Sequence, residues 1–495
     1  MKNTKILAIK HLDIGDISPD MFSSFIEHLG RAVYEGIYEP THKTADENGF
    51  RQDVIDLIKE LNVKKVRYPG GNYLSGYRWE DGIGPKENRK RRFDMAWSTV
   101  DTNEFGTDEF MKWCDKSGCE PLMAVNLGTG TPQDGANLAE YCNFKEGTYY
   151  SDLRKQNGRK EPYKVESWCL GNEMDGVWQI CHLNAEDYSK KALETAKMIR
   201  WIDPKTKLVV CGSASVNQPT FPEWDKTVCE NLYDFADFLS VHQYYWWEGN
   251  DDDFYASYVQ MDEYIKTIKG VLTFVKAKLR SKKDMYISFD EWNVWYQNAD
   301  NTPDRLIAPH ILEDVYTMQD ALVFGGLMNT LLNNCDVVKM ACLAQLVNVI
   351  APIMTQADGP AIRQTIFYPF KYVSNNAKGK TLRTVNTCDK FDSKYGKADY
   401  VSSAITYDDK EICVFLVNYA AEENEININL NLFKDIKVKE TVSLFSDDLK
   451  KQNTFKNPFA VVPTELKGVK TEKDSVIAKL PPFSWNMIKL SHDGE

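Results

Sequence analysis

Two short stretches concentrate the residues that could do acid–base chemistry. "WCLGNEMDG", Trp168 to Gly176, ends an apolar run on a glycine and then sets Asn172 beside Glu173. "YISFDEWNVWY", Tyr286 to Tyr296, brings Glu291 to the end of a second apolar run. Charged groups rarely lie against buried strands without a partner or a task. Two carboxyl groups facing each other across a cleft serve glycosidic bond hydrolysis: one protonates the leaving oxygen, the other attacks the anomeric carbon. Such a pair works only if its surroundings hold the two groups in different protonation states. Glu173 reads as the acid/base, because Asn172 beside it suits a sugar hydroxyl near the reacting carbon. Glu291 reads as the nucleophile, with Arg67 to balance its charge and Tyr244 to donate a hydrogen bond. Linear order alone does not assign the two roles. A single Glu at a strand end is most often a salt-bridged structural residue. Two of them, each flanked by Trp and Asn, weaken that reading.

Other chemistries lack their residues. There are seven histidines but no HExxH pattern. Cys114 and Cys119 have no second pair to complete a zinc site. No G-x-S-x-G elbow is present. Asp290, Glu291 and Asp13 carry no loop spacing for a divalent cation.

The elements that must position these groups can be read from periodicity. Eight apolar, strand-like runs centre near Phe25, Val66, Ala124, Cys169, Val210, Val241, Ser288 and Lys339. Helical patterns lie between them. In "DVIDLIKEL", Val54, Leu57, Ile58 and Leu61 share one face. Asn184, with Asp187 three residues on, opens a helix that Pro204 stops. A long apolar helix is expected from about Glu313 to Asn333. This alternation predicts a (β/α)₈ TIM barrel. A doubly wound sheet would need a Gly-rich phosphate turn after its first strand, and "YPGGNYLSG" (Tyr68 to Gly76) has the wrong spacing. "PGG" (Pro69 to Gly71) reads as a tight turn that also lets backbone approach a ligand.

In such a barrel the chemistry lies at the C-terminal strand ends. Glu27, His28, Arg67, Asn72, Asn126, Asn172, Glu173, His242, Tyr244 and Glu291 all fall there. Arg67 alone reads equally well as a strand-end ion-pair residue, and His242 alone as a hydrogen-bonded core histidine.

From about Tyr372 the pattern changes to β alternation, as in "EICVFLVNYA" and "NEININLNLF". This predicts a C-terminal, jelly-roll-like all-β sandwich. The expected division is an N-terminal strand over residues 1–16 that packs with the β domain, a catalytic barrel over 17–371, and the sandwich over 372–495.

The 495 residues carry a net charge of -12, against the basic footprint of a nucleic-acid protein. The eleven cysteines are scattered, mostly in apolar context, and read as buried free thiols of a reducing compartment. No signal peptide or membrane span is legible, so a cytoplasmic protein without membrane partners is expected. Aromatic clusters such as "QYYWWEG" suit either a large core or the apolar faces of sugars.

Six stretches in order carry a resemblance: "FSSFIEHLGRAVYEGIYEP", "VRYPGGNY", "WCLGNEMDG", "SVHQYY", "FDEWNVWY" and "PPFSWNMI". Along nearly its whole length the chain resembles the α-L-arabinofuranosidases of glycoside hydrolase family 51. The resemblance implies a retaining, exo-acting hydrolase that releases non-reducing-end arabinofuranosyl groups from arabinose-containing oligosaccharides. It implies Glu173 as acid/base and Glu291 as nucleophile. Glu27, Arg67, Asn72, Asn172, Tyr244 and Gln356 are implied to line the sugar subsite, Trp97 to shape it, and His242 to stand near the catalytic centre. It also implies a homo-oligomer, commonly a hexamer, with no cofactor and no metal. One departure stands out: Trp246 and Trp247 replace small or polar residues and would widen or roof the aglycone side. A retaining β-xylosidase or endo-glucanase of the same barrel group is the alternative enzyme. A non-catalytic sugar-binding protein would need one carboxylate missing, and both are present.

Overall fold

The computed structural model describes residues 2–297 and 302–493. Eight parallel strands close into a barrel: β2 (Ser23–Phe25), β3 (Lys65–Tyr68), β4 (Glu120–Val125), β5 (Ser167–Leu170), β6 (Lys207–Cys211), β7 (Phe238–Tyr245), β8 (Tyr286–Val294) and β9 (Val338–Leu343). They follow β1 (Lys2–Asp16), which lies outside the barrel. β9 pairs with β2 and completes the ring. Strands covered on both faces read as unbroken apolar runs rather than alternating ones. In β5 all four residues are buried.

A helix follows each strand: α1 (Gln52–Leu61), α2 (Thr107–Ser117), α3 (Pro132–Asn143), α4 (Ala185–Ile202), α5 (Glu223–Leu232), α6 (Ser257–Leu279), α7 (Met318–Asn333) and α8 (Phe367–Asn376). α1 buries Val54, Leu57, Ile58 and Leu61 and ends on Asn62 in the left-handed region. α4 starts where Asn184 Oδ1 accepts from the Asp187 amide at 2.9 Å. α7 begins at Met318, later than the expected Glu313. The reason is a cap: the Thr317 hydroxyl and Asp320 bond each other's backbone amides, which marks the first turn.

The second body is one nine-stranded sheet. It contains β1, β10 (Lys380–Thr387), β11 (Val401–Tyr407), β12 (Glu411–Asn418), β13 (Asn424–Asn431), β14 (Lys437–Phe445), β15 (Lys470–Glu472), β16 (Ser475–Leu480) and β17 (Ser484–Ser491). Their order is β14-β17-β12-β11-β10-β1-β13-β16-β15. β1 runs antiparallel to β10 and parallel to β13, so the N-terminal strand sits inside this sheet. β12 and β13 are successive in sequence yet not neighbours in the sheet, because β1 lies beside β13 on one side and β16 on the other. Ile6, Leu382, Ile405, Val414, Ile428 and Ile488 belong to the sheet's own core.

α7 is buried along nearly its whole length because it is clamped between the barrel and this sheet. Gly325 and Gly326 make the close approach possible. A Cβ on Gly325 would stand 2.4 Å from Trp485 Cδ1, and one on Gly326 would stand 2.1 Å from Tyr419 Oη. Trp485 is fully buried at this junction. Burying about 150–250 Å² of such a ring is worth roughly 4–6 kcal/mol of transfer free energy. All eleven cysteines are free, and nine are buried.

Candidate active site

At the C-terminal mouth of the barrel lies a cavity of about 480 Å³ whose lining includes Glu27, Asn72, Trp97, Glu173, Tyr244 and Glu291. Glu173 and Glu291 offer oxygens within 4.8 Å of each other and of a ring nitrogen of His242. Two local devices aim them. After β5 the chain turns through Gly171 at φ 92° and Glu173 itself at φ 44°, which lifts the Glu173 carboxyl into the mouth. In β8 the register against β7 slips between Ser288 and Glu291, pairing Glu291 with His242. This bulge breaks the strict alternation of faces. Asp290 and Glu291 are neighbours in sequence, and both therefore reach the same buried cluster.

Each carboxylate is held. Glu291 Oε1 accepts from Arg67 Nη1 at 2.7 Å, and its Oε2 accepts from the Tyr244 hydroxyl at 2.8 Å. Arg67 Nη2 donates to Asn172 Oδ1 at 2.6 Å, and the guanidinium lies over the Phe25 ring. Glu173 Oε1 meets His242 Nδ1 at 2.9 Å, and its Oε2 accepts from Trp178 Nε1 at 2.7 Å. The Asn172 amide nitrogen is buried and has no hydrogen-bond partner among the described residues. A buried unpaired donor is costly, and a ligand hydroxyl would satisfy it.

The electrostatics follow from burial and pairing. Burial alone would depress the His242 imidazole, but Glu291, Asp290 and Glu173 around it push its pKa up to about 10. With its pKa raised that far, the ring favours its charged form among these carboxyl groups around neutral pH. Burial also acts against the Arg67 charge, and Asp290 and Glu291 outweigh it. Burial raises Asp290, but His242 and Arg67 override it and hold the carboxyl below its usual range. Glu27 is the opposite case. Burial dominates over its bonds from the Tyr73 amide and Trp97 Nε1 and raises its pKa to about 8.

The Gly70–Gly71 turn after β3 passes against this cluster. A Cβ on Gly71 would lie 3.2 Å from Glu27 Oε2 and 3.3 Å from Glu291 Oε1. Only hydrogen leaves that room for a substrate.

Glu27, Arg67, Asn72, Trp97, Asn172, Glu173, His242, Tyr244 and Glu291 are thus brought to one mouth. Gln356 is not. It is exposed on the turn between the short strands Ile353–Thr355 and Ala361–Arg363, where its carbonyl accepts from Arg51. The cavity glutamine bonded to Glu27 is Gln345, two residues beyond β9; its Oε1 accepts from the Glu27 amide at 3.1 Å, and its Nε2 donates to Glu27 Oε2 at 3.4 Å. The expectation for Gln356 fails because the chain has already left the strand end and turned away. Asn126 shapes its own loop by bonding Tyr77, Gly128 and Thr129. His28 stands behind the site, bonded to Tyr68 and stacked on Tyr73. Sequence reasoning missed Trp178, Gln345 and the role of Asp290. A signal existed for two of them: Trp178 follows Glu173 in the same loop, and Gln345 is the first amide past a strand end.

Comparison with known proteins agrees with this geometry. Residues 57–266 match the family model "Alpha-L-arabinofuranosidase 1 domain", and residues 290–484 match "Alpha-L-arabinofuranosidase C-terminal domain". The chain is 46% identical over 502 residues to the intracellular exo-α-(1→5)-L-arabinofuranosidase 1 of Bacillus subtilis (strain 168), covering 99% of both. It is 45% identical to an exo-α-(1→6)-L-arabinofuranosidase of Bifidobacterium longum, covering 99% of this chain and 98% of that one. The solved family 51 α-L-arabinofuranosidase AbfB of Bifidobacterium longum superposes with a TM-score of 0.94 at 40% identity, over 99% of each chain. With its barrel, its appended β-sheet domain and its paired mouth carboxylates, the chain belongs to the α-L-arabinofuranosidases of glycoside hydrolase family 51.

Proposed function

We propose that the protein removes terminal α-L-arabinofuranosyl groups from arabino-oligosaccharides by double displacement, with Glu291 as nucleophile and Glu173 as acid/base. The observation that carries this reading is the approach of the two carboxylates to within 4.8 Å. Retaining hydrolases hold their carboxyl groups about 5–5.5 Å apart, whereas inverting ones leave about 6.5–9.5 Å for a water.

The first step forms a bond from Glu291 to the anomeric carbon while the glycosidic bond breaks and Glu173 gives its proton to the departing oxygen. Arg67 and Tyr244 aim Glu291, and as its charge is spent on the new bond the guanidinium stays paired with Asp290 and Asn172. In the second step Glu173 takes a proton from water, the water oxygen bonds the anomeric carbon, and Glu291 leaves. Two displacements return the original configuration. Asn172 and Glu27, protonated at neutral pH, are placed to hold sugar hydroxyls. The volume of about 480 Å³ suits one terminal sugar rather than the middle of a polymer.

The named relatives act on (1→5) and (1→6) linkages, so both are natural first substrates, and the B. subtilis relative's description as intracellular supports action on short oligosaccharides inside the cell. A homo-oligomer, commonly a hexamer in the family, is the expected assembly, and light scattering measures it. The test of function is hydrolysis of 4-nitrophenyl α-L-arabinofuranoside beside the β-D-xylopyranoside, with the first-formed anomer followed by NMR. Selective arabinoside turnover with a retained anomer supports the proposal; an inverted product or selective xyloside turnover overturns it.

A further inference from the structure

A second cavity adjoins the catalytic one. Its volume is about 240 Å³, and it shares Gln243, Tyr244 and Trp246 with the catalytic cavity. Its far wall comes from the other domain: Lys394 and Tyr395 form the two-residue tip of the hairpin Lys390–Ser393/Gly396–Asp399. That tip is docked on the barrel. The Lys394 amide donates to Asp253 Oδ1 at 2.6 Å, and the Lys394 ammonium pairs with Glu248. Within the hairpin, Ser393 Oγ donates to the Gly396 carbonyl at 2.7 Å and accepts from the Tyr395 amide.

One group in this cavity is unexplained by the fold. Tyr245 is 2% exposed, lines the cavity, and its hydroxyl has no hydrogen-bond partner among the described residues. A buried hydroxyl left unpaired costs about 1–3 kcal/mol, so a partner is expected when the site is in use. The other walls say what the partner is. Trp246 and Tyr395 supply aromatic surface, Gln260 and Asn217 supply amides, and the one ammonium is already balanced by a carboxylate. Rings beside neutral hydrogen-bonding groups suit a neutral polyhydroxylated ligand. The volume lies below the about 300–1,000 Å³ of sites for drug-sized ligands, which fits a single sugar ring.

We propose that this cavity is a leaving-group-side subsite that binds a further sugar residue of the arabino-oligosaccharide, with the C-terminal domain supplying Lys394 and Tyr395. The inference rests on the arabinofuranosidase reading above and extends it to the oligosaccharide beyond the scissile bond. The chain of the substrate leaves the catalytic mouth past the Trp246 ring, and Tyr245 Oη takes a sugar hydroxyl. The second domain is then part of the specificity machinery and not only a packing partner of the barrel.

The test compares two substrates on the same enzyme preparation: 4-nitrophenyl α-L-arabinofuranoside, whose aglycone is one small ring, and α-(1→5)-linked arabinotriose. The variants are Tyr395→Ala, Tyr245→Phe and the double variant Lys394→Ala/Tyr395→Ala. The readout is kcat/KM for the triose divided by kcat/KM for the aryl substrate. A misfolded fraction lowers both values alike and leaves this ratio unchanged. The ratio is expected to fall at least fivefold in Tyr395→Ala and the double variant, and at least threefold in Tyr245→Phe. A ratio equal to that of the wild type in all three variants overturns the subsite. Absence of aryl arabinofuranoside turnover in the wild type overturns instead the activity on which the subsite rests, so the two failures are told apart.

Discussion

Arg67 and Glu291 meet at the floor of the catalytic cavity, Nη1 to Oε1 at 2.7 Å, and each is almost wholly buried. The same guanidinium lies 3.6 Å from Asp290 and donates to Asn172. One planar fork therefore sets the spacing between the strand that bears Glu291 and the loop that bears Glu173. Substituting Arg67→Ala leaves buried carboxylates uncompensated and is expected to cost about 3–5 kcal/mol of stability. Arg67→Lys keeps a charge but loses the fork, so it is expected to fold while kcat/KM falls by about 10²-fold. Urea unfolding and steady-state kinetics on the two variants check this; an Arg67→Lys enzyme of wild-type activity would show that the fork is not needed.

Glu173 and Glu291 are expected to fail differently. Glu173→Ala removes the proton donor, and general acid catalysis contributes about 10²–10⁴-fold. In kcat/KM, which reports the first step, the loss is expected to be large for arabino-oligosaccharides and small for aryl arabinofuranosides, whose departing phenolate needs little protonation; kcat falls for both, because Glu173 also activates the water of the second step. Glu291→Ala removes the bond-forming group and is expected to abolish turnover of both. Equal losses in kcat/KM across leaving groups in Glu173→Ala would contradict the assignment of roles.

The pH response of stability carries a sign. Folded Glu27 keeps its proton to about pH 8, while the unfolded chain releases it near 4.5. The folded state therefore binds the extra proton, and its contribution is fully present below pH 4.5 and lost as pH rises through 8. The slope is up to about 1.4 kcal/mol per pH unit. His242 acts in the same direction in the higher window between 6.5 and about 10. Glu27→Gln, a neutral stand-in, is expected to flatten the wild-type decline between pH 5 and pH 8. Urea unfolding of both proteins at the two pH values measures it, and parallel declines would remove Glu27 as the cause.

Gly71→Ala tests the backbone approach. The added methyl meets Glu27 Oε2 and Glu291 Oε1 at 3.2 and 3.3 Å, and the Phe25 ring at the ordinary contact distance of 3.4 Å. Activity is expected to fall about tenfold or more through misplacement of the two carboxyl groups. The thermal midpoint is expected to move little, and a variant with wild-type kcat and KM would show that the turn has slack.

Much of the site was legible because strand ends announce themselves locally. An apolar run that stops at Asn172–Glu173, or at Asp290–Glu291, marks a place where a buried element meets polar work. Gln356 shows the limit of that logic. The resemblance implies Gln356, and although Gln345 is the first amide past the last barrel strand, its partner Glu27 is distant in sequence. Only closure of β9 against β2 brings Gln345 to Glu27, across more than three hundred residues of chain.

The sequence by itself determined the alternating strand–helix order, a change to β periodicity in the C-terminal part, and the two carboxylates with Arg67 and Tyr244 in attendance; the expected start of that change at Tyr372 falls inside α8, and the strands begin at Lys380. Periodicity, capping and residue chemistry act over a few neighbouring residues and can be read from them. The tertiary structure alone decided which of these groups touch. The bulge between Ser288 and Glu291 turns two adjacent acidic side chains toward one cluster, and the pKa of His242 is pushed up by the acidic groups that the fold gathers around it. The hairpin tip at Lys394–Tyr395 reaches the barrel mouth only because the second domain packs across α7. Aim, field and closure depend on through-space distances, which a strand's own sequence does not contain.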